Sequence, residues 1–166
     1  ENATRLYLLP VGVFGVSLST VIYPSLAQAV AKHKNDIAEK YIVKGLNILL
    51  FLVIPSILVL TIYSEDVVRL TLSYGKFGEE AVKVTANALL YYSIGLYFYT
   101  GIFLMTRAFY SMQNSAYPVV ASIVSIIINI VLNFVFIKPF GYKGLALSTS
   151  IAAGVNFLML LFEYRR

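Results

Sequence analysis

The chain has 166 residues, of which 59% are hydrophobic and 13% charged, with a formal net charge of +5. A soluble domain carries about 45–50% apolar and about 25% charged residues, so this balance excludes an ordinary soluble domain. The absence of cysteine excludes a disulfide framework and a thiolate metal site, and the basic residues sit between apolar runs rather than in one patch, which speaks for a membrane and against nucleic acid as a partner.

The mean hydropathy of +0.79 is carried by segregated apolar segments. Charge-free stretches run Leu6–Ala31, Gly45–Ser64, Val84–Thr106, Ala108–Ile137 and Gly144–Phe162. A helix needs roughly 20 apolar residues to cross the hydrocarbon core, and each stretch has that length or comes close. The fold class read from this is an all-α integral membrane domain of about five transmembrane helices. The first residue is Glu1, no signal-peptide pattern precedes the first span, and the number of spans is odd. An internal piece of a longer protein is therefore expected.

The first span is expected over 6–30. It contains Pro10, Gly12, Gly15 and Pro24; proline removes a backbone hydrogen bond, so this span is expected to be bent or partly broken. Residues 32–44 hold four lysines, Asp36, Glu39 and the lone His33, and read as a polar segment that opens with a short interfacial helix. The second span follows over 46–63. Residues 64–83 are the most polar part of the chain, and Val67, Val68, Leu70 and Leu72 set among charges suggest an amphipathic helix on the membrane surface. Tyr74-Gly75-Lys76-Phe77-Gly78 reads as its turn. The third span, 85–106, carries Tyr91, Tyr92, Tyr97, Phe98 and Tyr99, an aromatic set that suits a membrane–water interface. Arg107 at its end reads as an anchor. The fourth span, 118–137, opens at Pro118, well placed in a first turn. A tight turn leads to the fifth span, 144–162.

Five crossings put 32–44, 107–116 and the C-terminus on one side. That side holds seven Lys and Arg against six on the other, so the positive-inside rule favours 32–44 as cytoplasmic. There is also an internal echo. The segments 12–20 and 141–149 both read G-x-x-G-[VL]-[SA]-L-S-T, with five identities in nine. The two spans cross in the same direction, which suits a parallel repeat of the kind transporters use; small residues also recur wherever membrane helices pack closely.

No spacing resembles a metal site or a nucleophile with its base, and the acidic residues lie in loops or at helix ends, so an enzyme is not expected. His33, among lysines, is expected to be solvated. Polar and ionisable residues at membrane depth are the functional candidates. Arg5 stands at the head of the first span. Its guanidinium either clamps a phosphate by paired hydrogen bonds or snorkels as an interfacial anchor. Asn129 and Asn133, four apart, share one helix face, and Thr149 can face them across the tight turn. Their oxygens could hold a coupling Na⁺ ion; interhelical hydrogen bonding is the alternative.

In order along the chain, Arg5-Leu6-Tyr7-x-x-Pro10-x-Gly12-x-Phe14-Gly15-Val16-Ser17-Leu18-Ser19-Thr20, Pro24-Ser25-Leu26, Tyr74-Gly75-Lys76-Phe77, Arg107-Ala108-Phe109-Tyr110-Ser111, Pro118-Val119 and Gly144-Leu145-Ala146-Leu147-Ser148-Thr149-Ser150 resemble the lipid II flippases (the MurJ or MviN family). These belong to the multidrug/oligosaccharidyl-lipid/polysaccharide exporter superfamily. The resemblance implies a fourteen-helix, two-lobe transporter of the bacterial cytoplasmic membrane, of which this chain is roughly the eighth to twelfth helix. It implies that 32–44 is cytoplasmic and 64–83 periplasmic, and that the substrate is an undecaprenyl-pyrophosphate-linked peptidoglycan precursor. It also implies that Arg5 matches a cavity arginine that meets the pyrophosphate, and that an N-terminal lobe outside this chain is needed for transport. Family members often place Asp before this arginine, where this chain has Thr4. Two other readings stay open: an exporter of another polyprenyl-linked glycan, and a channel or structural membrane subunit.

Overall fold

The computed structural model of the chain describes residues 2–72 and 78–166. The turn expected at Tyr74-Gly75-Lys76-Phe77-Gly78 lies, apart from Gly78, outside the described residues. In chain order the elements are α1 (Asn2–Pro10), a π-helical segment (Val11–Val16), α2 (Ser17–Ala31), α3 (Asn35–Ile62), α4 (Ser64–Leu72), α5 (Glu79–Ile94), α6 (Leu96–Ser111), α7 (Ala116–Phe140) and α8 (Tyr142–Arg165). No strand occurs among the described residues. Helices satisfy every backbone group internally, which is what a bilayer demands. By length and apolarity, Ala3–Ala31, Asn35–Ile62, Ala116–Phe140 and Tyr142–Arg165 can each cross a membrane, and α5 with α6 makes a fifth span if the bent pair counts as one.

The first span carries its interruption where Pro10, Gly12 and Gly15 stand, as the π-helical segment Val11–Val16. Wide turns of this kind form where the regular ladder is broken and often mark functional positions.

Two expected boundaries differ from the structure. Residues 32–44 and 46–63 are not a polar segment followed by a span: α3 runs unbroken from Asn35 to Ile62. The buried residues Ala38, Ile42, Gly45, Leu49 and Val53 recur at spacings of three and four, one continuous stripe, with the lysines on the other faces. At 1.5 Å per residue its 28 residues span about 42 Å, well over the ~30 Å hydrocarbon thickness. The third span, expected over 85–106, is instead two helices bent by 48° on either side of Gly95. The Gly95 N–H donates to the Tyr92 carbonyl at 3.0 Å. That leaves the Tyr91 carbonyl to accept from Ser150 Oγ of α8 at 2.7 Å. A Cβ on Gly95 would lie 2.8 Å from the Ser150 Cα, so only glycine fits this joint.

The surface helix is α4, nine residues long, shorter than the 64–83 segment that suggested it. Its Val68 is buried, and Arg69 pairs with Glu79 of α5 at 2.9 Å. Both side chains are at least half exposed, so the pair adds little stability. The packed interior has two clusters. One gathers Tyr7, Val53, Val68, Leu89 and Leu96; the other gathers Leu26, Ile42, Met105, Phe109 and Leu160. The tyrosines expected at an interface belt are partly in these clusters. Tyr7 stacks on Tyr92 at 4.9 Å and meets Tyr99 edge-on at 5.4 Å. Arg107 lies 5.5 Å from the Tyr23 ring centroid, a cation–π contact between α6 and α2.

Candidate functional site

Helices α7 and α8 run antiparallel, joined through Gly141, whose φ of 56° lies in the left-handed region that glycine enters without a Cβ clash. Three residues on, a Cβ at Gly144 would stand 2.5 Å from the Phe136 carbonyl oxygen. The two backbones can therefore close on each other near the turn, and this closure sets the polar residues of both helices side by side.

Asn129, Asn133 and Thr149 meet in one hydrogen-bonded cluster. Asn129 Nδ2 donates to Thr149 Oγ1 at 3.3 Å, and Asn133 Nδ2 donates to Asn129 Oδ1 at 3.0 Å. Ser148 Oγ contacts Asn133 Oδ1 and also the Leu145 carbonyl, and Thr149 Oγ1 donates to the same carbonyl at 2.8 Å. A polar group left unpaired in hydrocarbon costs several kcal/mol, so mutual pairing is the condition for these residues to sit between membrane helices. The cluster is electrically neutral. It gathers two amide oxygens, two hydroxyls and one carbonyl, and turning an amide exchanges its oxygen and nitrogen with little change of shape. Hard-oxygen donors of this sort suit an alkali or alkaline-earth cation. Among the described residues no group of three or more His, Cys, Asp or Glu side chains converges.

The seam continues away from the turn as a cleft of about 390 Å³, reaching Ser122 and Ser125 on α7, Asn156 on α8, and Leu8, Tyr99 and Phe103 opposite them. Ser125 Oγ donates to the Ala152 carbonyl at 2.8 Å across the two helices. Arg5 is exposed on α1, three residues before the cleft-lining Leu8 and so on the same side of that helix. A larger concavity, about 710 Å³, runs along α3 from Asp36 to Leu52. Its lining comes from one helix, so no second element converges on it.

The echo between 12–20 and 141–149 extends to the hydrogen bonds. Ser19 and Thr20 hydroxyls both donate to the Val16 carbonyl, at 2.9 and 2.8 Å, as Ser148 and Thr149 do to Leu145, at 2.9 and 2.8 Å. In each segment the second glycine is a point of close approach, Gly15 to Thr100 and Gly144 to Phe136. Reading residue types alone missed Ser148, the Leu145 carbonyl and Asn156. The signal for Asn156 was its place seven residues after Thr149, two turns along one helix face.

A multi-span helical bundle with a polar seam at membrane depth has the build of a membrane transport protein. The family model described as Lipid II flippase MurJ matches residues 1–166. The lipid II flippase MurJ of Thermosipho africanus is 32% identical over 168 residues, covering 99% of this chain and 34% of that protein. A probable lipid II flippase MurJ of Buchnera aphidicola subsp. Acyrthosiphon pisum is 37% identical over 161 residues, covering 95% and 31%. A solved structure of lipid II flippase MurJ in an inward closed conformation superposes with a TM-score of 0.87 at 33% identity, covering 99% of this chain and 34% of its own. The chain belongs to the lipid II flippase MurJ family, a family of transporters of the inner membrane. It spans about a third of the length of the curated relatives it matches.

Proposed function

We propose that this chain is part of a flippase that moves an undecaprenyl-pyrophosphate-linked peptidoglycan precursor, lipid II, across the bacterial cytoplasmic membrane by alternating access. The observation that supports this reading is the family match over every residue of the chain, together with a shared fold at 33% identity. The remaining helices, an N-terminal lobe among them, complete the substrate path. In this reading residues 32–44 face the cytoplasm and 64–83 the periplasm.

Arg5 is the substrate-facing cation. A pyrophosphate loses much of its hydration on crossing, and a planar guanidinium offsets that loss with paired donors that an ammonium cannot reproduce. Its exposure at the head of α1, on the side of Leu8, is compatible with that role. The test is complementation in cells depleted of their own flippase, using the full-length protein. Arg5→Ala is expected to abolish growth at normal protein level, and Arg5→Lys to restore it in part. Full growth with well-expressed Arg5→Ala would make Arg5 an interfacial anchor.

The Asn129–Asn133–Thr149 cluster is the seat of Na⁺ coupling in the same reading. The support is the gathering of oxygens from two helices, with Ser148 and the Leu145 carbonyl added. Binding there requires the two amides to turn their oxygens inward, at the expense of the Asn133–Asn129 bond. The full-length protein should then melt higher in sodium chloride than in choline chloride, and Asn129→Ala should remove the difference. Equal melting in both salts would leave the cluster as a helix–helix joint only.

A further inference from the structure

The Asn129 cluster lies at one end of a polar track whose other end carries a group with nothing to bind. On α8, Thr149, Ala152, Ala153 and Asn156 all line the cleft; on α7, Ser122, Ser125, Ile126 and Asn129 do. Both sets follow the three-and-four spacing of a single helix face. The helices are antiparallel, so the two faces pair rung by rung. Asn129 bonds Thr149, Ser125 bonds the Ala152 carbonyl, and the next rung sets Ser122 in register with Asn156. Asn156 is 8% exposed, and its Oδ1 finds no hydrogen-bond partner among the described residues. A buried amide oxygen without a partner costs about 1–3 kcal/mol. Ser125, Asn129, Asn133, Ser148 and Thr149 along the seam are all hydrogen-bonded and Ser122 is exposed, so the buried Asn156 oxygen stands out beside Leu8, Tyr99 and Phe103.

We propose that Asn156 is a way station for the cation on its path to or from the Asn129 cluster. This rests on the Na⁺ reading above. Seven residues separate Asn156 from Thr149, about 10 Å along the helix, so a cation moving between them passes the Ser125 rung midway. Neutral amide and hydroxyl groups replace part of a hydration shell without holding the ion tightly, and conduction needs sites weak enough to leave. The cleft lining is uncharged and its polar groups, Ser122, Ser125, Asn129, Thr149 and Asn156, all carry oxygens. The cluster sits nearer the 138–143 turn and Asn156 near the middle of α8, so the track leads from the cluster toward mid-membrane depth.

The experiment uses the full-length protein in nanodiscs with Na⁺ alone as the ligand, read by ²²Na⁺ binding and by melting temperature against Na⁺ concentration. Asn156→Leu removes the amide and keeps the volume. It should slow ²²Na⁺ binding and release about tenfold while leaving the equilibrium affinity of the Asn129 cluster unchanged, because Asn156 meets the ion on its path and not in its bound place. Asn156→Asp, nearly isosteric and anionic, should retain the ion on that path and alter the exchange rate too, and so report even if the leucine variant folds poorly. Wild-type ²²Na⁺ exchange rates from both variants, with Asn129→Ala abolishing the response, would overturn the way station while sparing the ion site. A Na⁺ response that survives Asn129→Ala would overturn both.

Discussion

Helices α7 and α8 are neighbours of nearly equal length and opposite composition. Helix α7 is dominated by Ile, Val and Phe, and only 11% of its most apolar 18 residues are buried; α8 is rich in Gly, Ala, Ser and Thr, and 44% of the corresponding residues are buried. In water the greasier helix would be the inner one. In a bilayer lipid is as apolar as leucine, so helix association depends on close packing and interhelical hydrogen bonds, and small residues mark the centre. Helix α8 meets α5 and α6 at Gly95–Ser150 and Gly101–Phe157 and α7 at Gly144–Phe136, contacts that a larger residue would block.

The sharpest way to break this contrast is Gly144→Val. Its Cβ would lie 2.5 Å from the Phe136 carbonyl oxygen, and backbone cannot step aside as a flexible side chain can. Overpacking costs about 1–3 kcal/mol, and this position should reach the upper end, read as a lower melting temperature of the full-length protein in detergent. A variant that melts like wild type would mean the two backbones are not pressed together.

A middle effect is expected at Asn129→Leu. It removes two hydrogen bonds and leaves the Asn133 amide without its acceptor. Only the bond to Thr149 is interhelical, and such bonds in membranes average about 0.6 kcal/mol; with the unpaired Asn133 amide added, a loss of about 1 kcal/mol should appear in the same melting assay without Na⁺. No loss would mean that the cluster does not hold α7 to α8.

The smallest effect belongs to Ile127→Ala on α7, a side chain 56% exposed. If lipid covers it, stability should fall by less than about 0.5 kcal/mol. A fall of 2 kcal/mol or more, the range of a core isoleucine truncated to alanine, would instead identify α7 as a docking face for helices beyond this chain.

The elements legible in the sequence were those set by hydropathy. The apolar runs located the spans, and the four-residue spacing of Asn129 and Asn133 placed both side chains on the face that meets Thr149. The break at Gly95 was not legible, because nothing local requires it. Residues 84–106 are apolar and free of charge, and the bend is held by Ser150, which is 55 positions away in the chain and reaches the Tyr91 carbonyl only in the folded bundle. The early start of α3 is legible in the spacing of its apolar residues. Its lysines suggest a polar segment opening with a short interfacial helix, while Ala38 and Ile42 already continue the buried stripe of Gly45, Leu49 and Val53. Asn156 is legible only as the residue seven after Thr149, on the same helix face; that its oxygen is buried without a partner depends on the packing of α7 and α8.

The widened turn at Val11–Val16 acts on everything that precedes it. A π turn closes from i to i+5 and so holds one residue more than the α turn it replaces. One residue is about 100° of rotation about the helix axis. Helix α1 is therefore set about a quarter-turn away from the heading that an uninterrupted α-helix would give it, and Leu8, with Arg5 on its side, takes its aim from that offset. Deleting one residue from the wide turn would leave the composition and charge of α1 intact and swing its arginine out of line. The bearing of the cation is thus written in backbone register, where no substitution scan of side chains would find it.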